Sequence, residues 1–126
     1  MLSLTGCGGC DIVLVKVFTR LGIEPDYHKM IVEAASLPKR IDVLLVTGCV
    51  ATPEEGLLLA EASRRASRII LVGCCALRGL LMPRRRPAST CCKPPRMMVE
   101  HPRVTSIPGC PALEPLVERI LAHAAF

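Results

Sequence analysis

Ile41-Asp42-Val43-Leu44-Leu45-Val46-Thr47-Gly48 is the stretch that decides the fold. A continuous β-branched and aliphatic run of strand length, stopped by glycine, reads as a parallel strand buried on both faces. Just downstream, Thr52 precedes Pro53-Glu54-Glu55. That is a helix start: an N-cap, proline in the first position and carboxylates over the positive end. The helix is expected to run to about residue 67. Arg68-Ile69-Ile70-Leu71-Val72-Gly73 then reads as the next buried strand, with Cys74 and Cys75 at its carboxyl end.

Working outward, residues 2–5 read as a short strand and 11–21 as a largely buried helix carrying Ile12, Val13, Val15, Val17 and Phe18. Gly22 is placed to end that helix. Asp11, near its start, reads as a cap or dipole partner in preference to a proton carrier. Residues 24–31 read as a second, weak strand. A last strand at 104–107 leads into Pro108-Gly109-Cys110-Pro111, and a helix at 113–124 closes the chain. Its residues Leu113, Leu116, Val117, Ile120 and Leu121 share one face. Between them, 80–102 contains five prolines, Arg84-Arg85-Arg86, Cys91-Cys92 and Met97-Met98. This segment reads as an irregular, functional loop. Alternating strands and helices predict a right-handed α/β arrangement with a parallel sheet, whose ligand sites lie outside the carboxyl ends of the strands.

Composition narrows the classes. The 126 residues suffice for one compact domain. They are 51% hydrophobic and only 2% aromatic, so the core must be aliphatic. A mean hydropathy of +0.43 is high for a domain alone in water, which points to apolar surface covered by partner subunits. No apolar run is long enough to span a bilayer, and no secretory signal is expected. The expected location is therefore cytoplasmic, or peripheral at the cytoplasmic membrane face through partner subunits. A net charge of +5 comes with no interleaved aromatics, so nucleic acid is not an expected partner. Arg84-Arg85-Arg86 reads as a solvated face.

Eight cysteines in a reducing compartment indicate metal binding or catalysis in preference to disulfides. Thr5-Gly6-Cys7-Gly8-Gly9-Cys10-Asp11 aims two thiols at one point from a glycine-rich turn. The spacing alone serves zinc sites and redox dithiols equally. Cys7, Cys10, Cys75 and Cys110 each fall at or just after a predicted strand end, so a parallel sheet would gather four thiolates at one edge. Four soft thiolates suit an iron–sulfur cluster or tetrahedral zinc. Three separate segments contribute them, which favours a cluster wedged into a domain surface over a zinc knuckle. Gly6, Gly8, Gly9, Gly73 and Gly109 are candidate N–H donors to sulfur as well as turn formers.

Cys7-Gly-Gly-Cys10-Asp11-Ile12, Asp42-Val43-Leu44-Leu45-Val46-Thr47-Gly48, Gly73-Cys74-Cys75-Ala76 with Gly79, and Pro108-Gly109-Cys110-Pro111 together resemble a known family. It is that of the small subunit of nickel–iron hydrogenases and the related 20 kDa-type, cluster-bearing subunit of respiratory complex I. The first motif resembles the hydrogenase branch, and the Val-Thr-Gly segment resembles the energy-converting, membrane-bound hydrogenases. The resemblance implies a flavodoxin-like three-layer domain over 1–126, with an irregular loop at about 80–102. It implies a proximal 4Fe-4S cluster on Cys7, Cys10, Cys75 and Cys110, and an electron-transfer role without bond-making in this chain. It also implies a large catalytic subunit that would hold any nickel, other iron–sulfur subunits, and membrane subunits reached through the complex.

Two other classes stay open at this level: a zinc or thiol–disulfide protein using Cys7 and Cys10, and a structural or assembly subunit that keeps the fold without a cluster. Cys75 is favoured over the adjacent Cys74 by motif alignment. Cys49 reads as a buried small residue beside the site. Cys91 and Cys92 read either as spare thiols or as ligands of a second centre with Cys74 or Cys49. His28, His101 and His123 read as ordinary surface or core histidines, and Met97-Met98 as an apolar contact.

Overall fold

The computed structural model describes residues 1–4, 8–23, 39–78 and 94–124. In chain order the elements are β1 (Leu2–Ser3), α1 (Gly9–Leu21), β2 (Ile41–Thr47), α2 (Pro53–Arg65), β3 (Ala66–Val72), α3 (Cys74–Arg78), α4 (Pro95–Met98), β4 (Val104–Ile107) and α5 (Glu114–Ala124). Among the described residues, four strands form one parallel sheet in the order β1-β2-β3-β4. Leu2 lies opposite Val46, Ile41 opposite Ala66, and Val72 opposite Ile107.

Why β2 and β3 lack polar alternation is visible in their packing. Successive side chains of a strand point to opposite faces, and here both faces are covered. Leu45, Ile70, Val72 and Ile107 pack with Val13, Leu14, Val17 and Phe18 of α1 and with Val117 and Leu121 of α5. Leu44, Val46, Ile69 and Leu71 pack on the other face with Leu59 and Ala62 of α2 and Ala76 of α3. The result is three layers of helix, sheet and helix, as expected of a flavodoxin-like α/β fold. Arg20 of α1 pairs with Glu114 and Glu118 of α5, tying the two helices of one layer together.

The helix ends follow local chemistry. Gly8 caps α1 with φ 80° and Gly22 ends it with φ 67°, both left-handed conformations that favour glycine. Thr52 accepts from Glu55 N at 3.2 Å while Glu55 Oε1 accepts from Ala51 N at 3.2 Å, a reciprocal cap on α2.

Several boundaries differ from expectation, and β1 stops at Ser3, short of the expected 2–5. Helix α1 begins at Gly9, two residues before 11, because the glycine turn itself starts the helix. Helix α2 stops at Arg65 and β3 begins at Ala66, since Ala66 is drawn into register with Ile41. Cys74–Arg78 forms a short helix where only a strand end was expected. Within 80–102, Pro95–Met98 is a helical turn rather than irregular chain, with proline at its start. The expected strand at 24–31 and the remainder of the loop up to residue 93 lie outside the described residues. Ile12 also departs from the buried helix face, with 61% of its surface exposed. No helix among the described residues is long and apolar enough to cross a membrane.

Candidate metal centre at the carboxyl edge of the sheet

Helix α1, after β1, packs on one face of the sheet, whereas α2, after β2, packs on the other. Such a change of side opens a crevice beyond the strand ends. A cleft lies there, lined by Leu4, Gly8, Cys10, Asp11, Thr47 and Cys75 among others. It therefore collects residues following β1, β2 and β3, and brings Cys10 and Cys75 to one place.

Two backbone hydrogen bonds bring in the turn after β4. Gly73 N donates to Ile107 O at 2.8 Å, and Cys74 N donates to Gly109 O at 2.9 Å. These bonds continue the β3–β4 ladder past Val72 and hold the Gly109-Cys110 turn beside the Cys74-Cys75 turn. Cys110 is exposed there. The Gly73 N–H is thereby committed to Ile107 and is not the sulfur donor anticipated from sequence. What this glycine supplies instead is space. Its φ is +89°, and a Cβ built on it would collide with Cys10 Sγ. The Cys10 sulfur thus lies directly over the turn that presents Cys75.

Asp11 occupies the first turn of α1 and is buried. Its Oδ2 accepts from Ser3 Oγ at 2.6 Å and its Oδ1 accepts from Thr47 Oγ1 at 2.5 Å. It is therefore near the positive helix end, as expected, but its hydrogen bonds reach across to the strand ends and the cap is Gly8. Sequence reasoning passed over Ser3 and Thr47. Their signal was a hydroxyl at the close of each apolar strand.

The remaining candidates are placed as follows. Cys7, Cys91, Cys92 and His28 lie outside the described residues. Cys49 is fully buried after β2, as its reading required. His101 accepts from Arg103 N through Nδ1 at 3.0 Å, with Nε2 2.9 Å from Ala66 O, a local structural role. Met97 and Met98 lie on α4, the first 82% exposed. Among the described residues, no three His, Cys, Asp or Glu side chains form a group that could hold a metal ion. The enclosed space of the cleft is about 20 Å³, the room of one water. Sulfur donors on glycine-lined turns fit a soft metal or an iron–sulfur group.

Comparison with known proteins gives the family and the fold. Residues 7–124 match the family model described as NADH ubiquinone oxidoreductase, 20 Kd subunit. Sulfhydrogenase 2 subunit delta of Pyrococcus furiosus is 27% identical over 99% of this chain and 60% of its own length. A subunit of the vhu F420-non-reducing hydrogenase of Methanocaldococcus jannaschii is 31% identical over 63% of this chain and 29% of its own. The chain thus spans less than two thirds of either relative. Among solved structures, a chain of an NAD+-reducing [NiFe]-hydrogenase in the H2-reduced state superposes with TM-score 0.78 at 20% identity, over 96% of this chain and 86% of that one. A [NiFeSe]-hydrogenase chain from Dm. baculatum gives TM-score 0.68 at 16% identity, over 98% and 60%. These two likenesses establish the fold. With its family match running from Cys7 to the end of α5, the chain belongs to the family of the NADH ubiquinone oxidoreductase 20 Kd subunit, which includes hydrogenase subunits.

Proposed function

We propose that this chain is the electron-relay subunit of a hydrogenase-like oxidoreductase complex, with a 4Fe-4S cluster on Cys7, Cys10, Cys75 and Cys110 facing a large catalytic subunit. The observation that carries the proposal is the meeting of cysteine turns: Cys10 and Cys75 line one cleft, and the Cys110 turn is hydrogen-bonded to the backbone at Cys74. The relatives' names, both hydrogenase subunits, support a partner that performs the chemistry.

When bound, such a cluster supplies one-electron exchange, at a potential set by burial, hydrogen bonds to sulfur and nearby charge. The chain's own contribution is the setting. The aliphatic core ends directly beneath the cleft, with Leu4 among its lining residues, so the inner side of the site is shielded from water. The rigid sheet fixes the spacing of the turns, and no group here is assigned a bond-making step.

Anaerobic purification followed by iron and sulfide analysis and electron paramagnetic resonance tests the proposal. About four irons and four sulfides per chain are expected, with loss of the signal on Cys110→Ser and retention on Cys49→Ser. Stoichiometric zinc, or a metal-free chain with a reactive Cys7/Cys10 dithiol, would overturn it.

A further inference from the structure

One group at the cleft is left unused by the relay reading: the hydrogen-bonded set of Ser3, Asp11 and Thr47. Ser3 closes β1, Thr47 closes β2, and the two are register partners in the parallel ladder. Neighbouring strands lie about 4.8 Å apart. One carboxylate accepting a hydrogen bond on each oxygen can bridge that gap, and Asp11 does so with both bonds short. Asp11 is 7% exposed and Thr47 3%, so the Thr47 bond is made away from solvent, and the Ser3 bond is part-buried. Leaving either oxygen without its donor would incur the desolvation cost of a buried acceptor.

A carboxylate serving only as a dipole partner needs no such pair of donors, and one serving as a cap would bond its own helix. Here the cap is Gly8, with no side-chain cap bond. The bridging carboxylate instead fastens the first turn of α1 to two strands at once. Cys10 is the preceding residue of that turn, and its sulfur lies against the Cα of Gly73 at the end of β3. We infer that Asp11 is a positioning residue for Cys10: by accepting from Ser3 and Thr47 it pins the start of α1 to the ends of β1 and β2 and holds the Cys10 thiol over the Gly73 turn. Where the thiol is held rests on geometry alone, whereas the value of that placement for cluster binding rests on the relay reading.

The two claims separate experimentally. In the full chain, reduced and metal-free, pulsed alkylation with iodoacetamide and peptide mass mapping give the rates at Cys10 and Cys110 individually. Thr47→Val keeps the shape and removes the donor, Ser3→Ala removes the other donor, and Thr47→Ser restores a hydroxyl. Loss of one such bond should speed local opening about tenfold. Cys10 alkylation should therefore rise about tenfold in Thr47→Val and Ser3→Ala, stay within about twofold of the parent in Thr47→Ser, and leave Cys110 unchanged throughout. Equal Cys10 rates in parent and Thr47→Val would overturn the inference, as would a parallel rise at Cys110, which signals general loosening. If the parent chain takes up no iron while these rates behave as expected, the relay reading falls and the positioning role stands. Iron uptake by the parent together with an unchanged Cys10 rate in Thr47→Val leaves the relay standing and removes the positioning role.

Discussion

At the scale of single residues, the site depends as much on an absent side chain as on the thiols. Gly73 and Gly22 both have positive φ, at +89° and +67°, but their surroundings differ. A Cβ on Gly22 would meet nothing within 4 Å, whereas one on Gly73 would strike Cys10 Sγ. Gly22→Ala should therefore cost only the backbone strain of a left-handed alanine, about 1 kcal/mol. Gly73→Ala adds a steric conflict to that strain, and about 2–3 kcal/mol is expected. Urea denaturation of the two variants measures the difference, and iron per chain after reconstitution should fall in Gly73→Ala alone. Equal destabilisation and equal iron content would show that the Cys10–Gly73 contact does not organise the site. The sequence marked Gly73 as a turn residue and a candidate N–H donor. The reason it must lack a side chain lies in Cys10, which is distant in sequence, so no local pattern could reveal it.

Among the elements, legibility followed the reach of the forces involved. β2 and β3 were readable because a strand buried on both faces has no polar alternation, and 104–107 coincides with the strand found, although Val104 and Ser106 of this edge strand are exposed. The start of α2 was readable because Thr52, Pro53, Glu54 and Glu55 carry capping chemistry within a few residues. Its end was not, since sheet register and not helix preference claims Ala66. The exposure of Ile12 was equally hidden: periodicity marks an apolar residue as coreward, and only the packing of α1 against α5 shows that it faces outward. The cysteine turns could be assigned to strand ends from sequence, but the backbone bonds linking the turns after β3 and β4 depend on the parallel ladder. The cap on α2 gives a prediction at this scale. Thr52→Ala removes the acceptor for Glu55 N and half of the reciprocal pair, and should lower stability by about 1 kcal/mol. Thermal denaturation should show the loss with the iron content unchanged, because the cap bonds join residues of α2 and its lead-in rather than the cysteine turns. A variant as stable as the parent would mean the cap bonds are replaced by water at no cost.

For the whole molecule, what matters is that apolar surface and cysteines occupy the same rim. Ile12 follows Cys10 closely in α1, and Leu113 follows Cys110 just before α5; they are 61% and 60% exposed. Pro108 and Pro111 are exposed beside Cys110. Part of the exposed apolar surface, which also includes Leu57 and Met97 elsewhere on the chain, thus lies around the thiols, where the proposed relay would meet the group it serves. Interfaces draw most of their energy from a few desolvated apolar anchors, and a charge placed among them is strongly unfavourable. With the proposed large subunit co-expressed, the double variant Ile12→Glu, Leu113→Glu should lose at least about tenfold in co-purified partner. Its circular dichroism and iron content should match the parent, because neither side chain belongs to the buried core. Ala122→Glu is the matched control: it is an exposed position near the far end of α5, and α5 leads away from the rim. Retained partner in the double variant, or equal loss in Ala122→Glu, would place the proposed large subunit elsewhere on the chain, and the proposed relay would then have no neighbour to which an electron could pass.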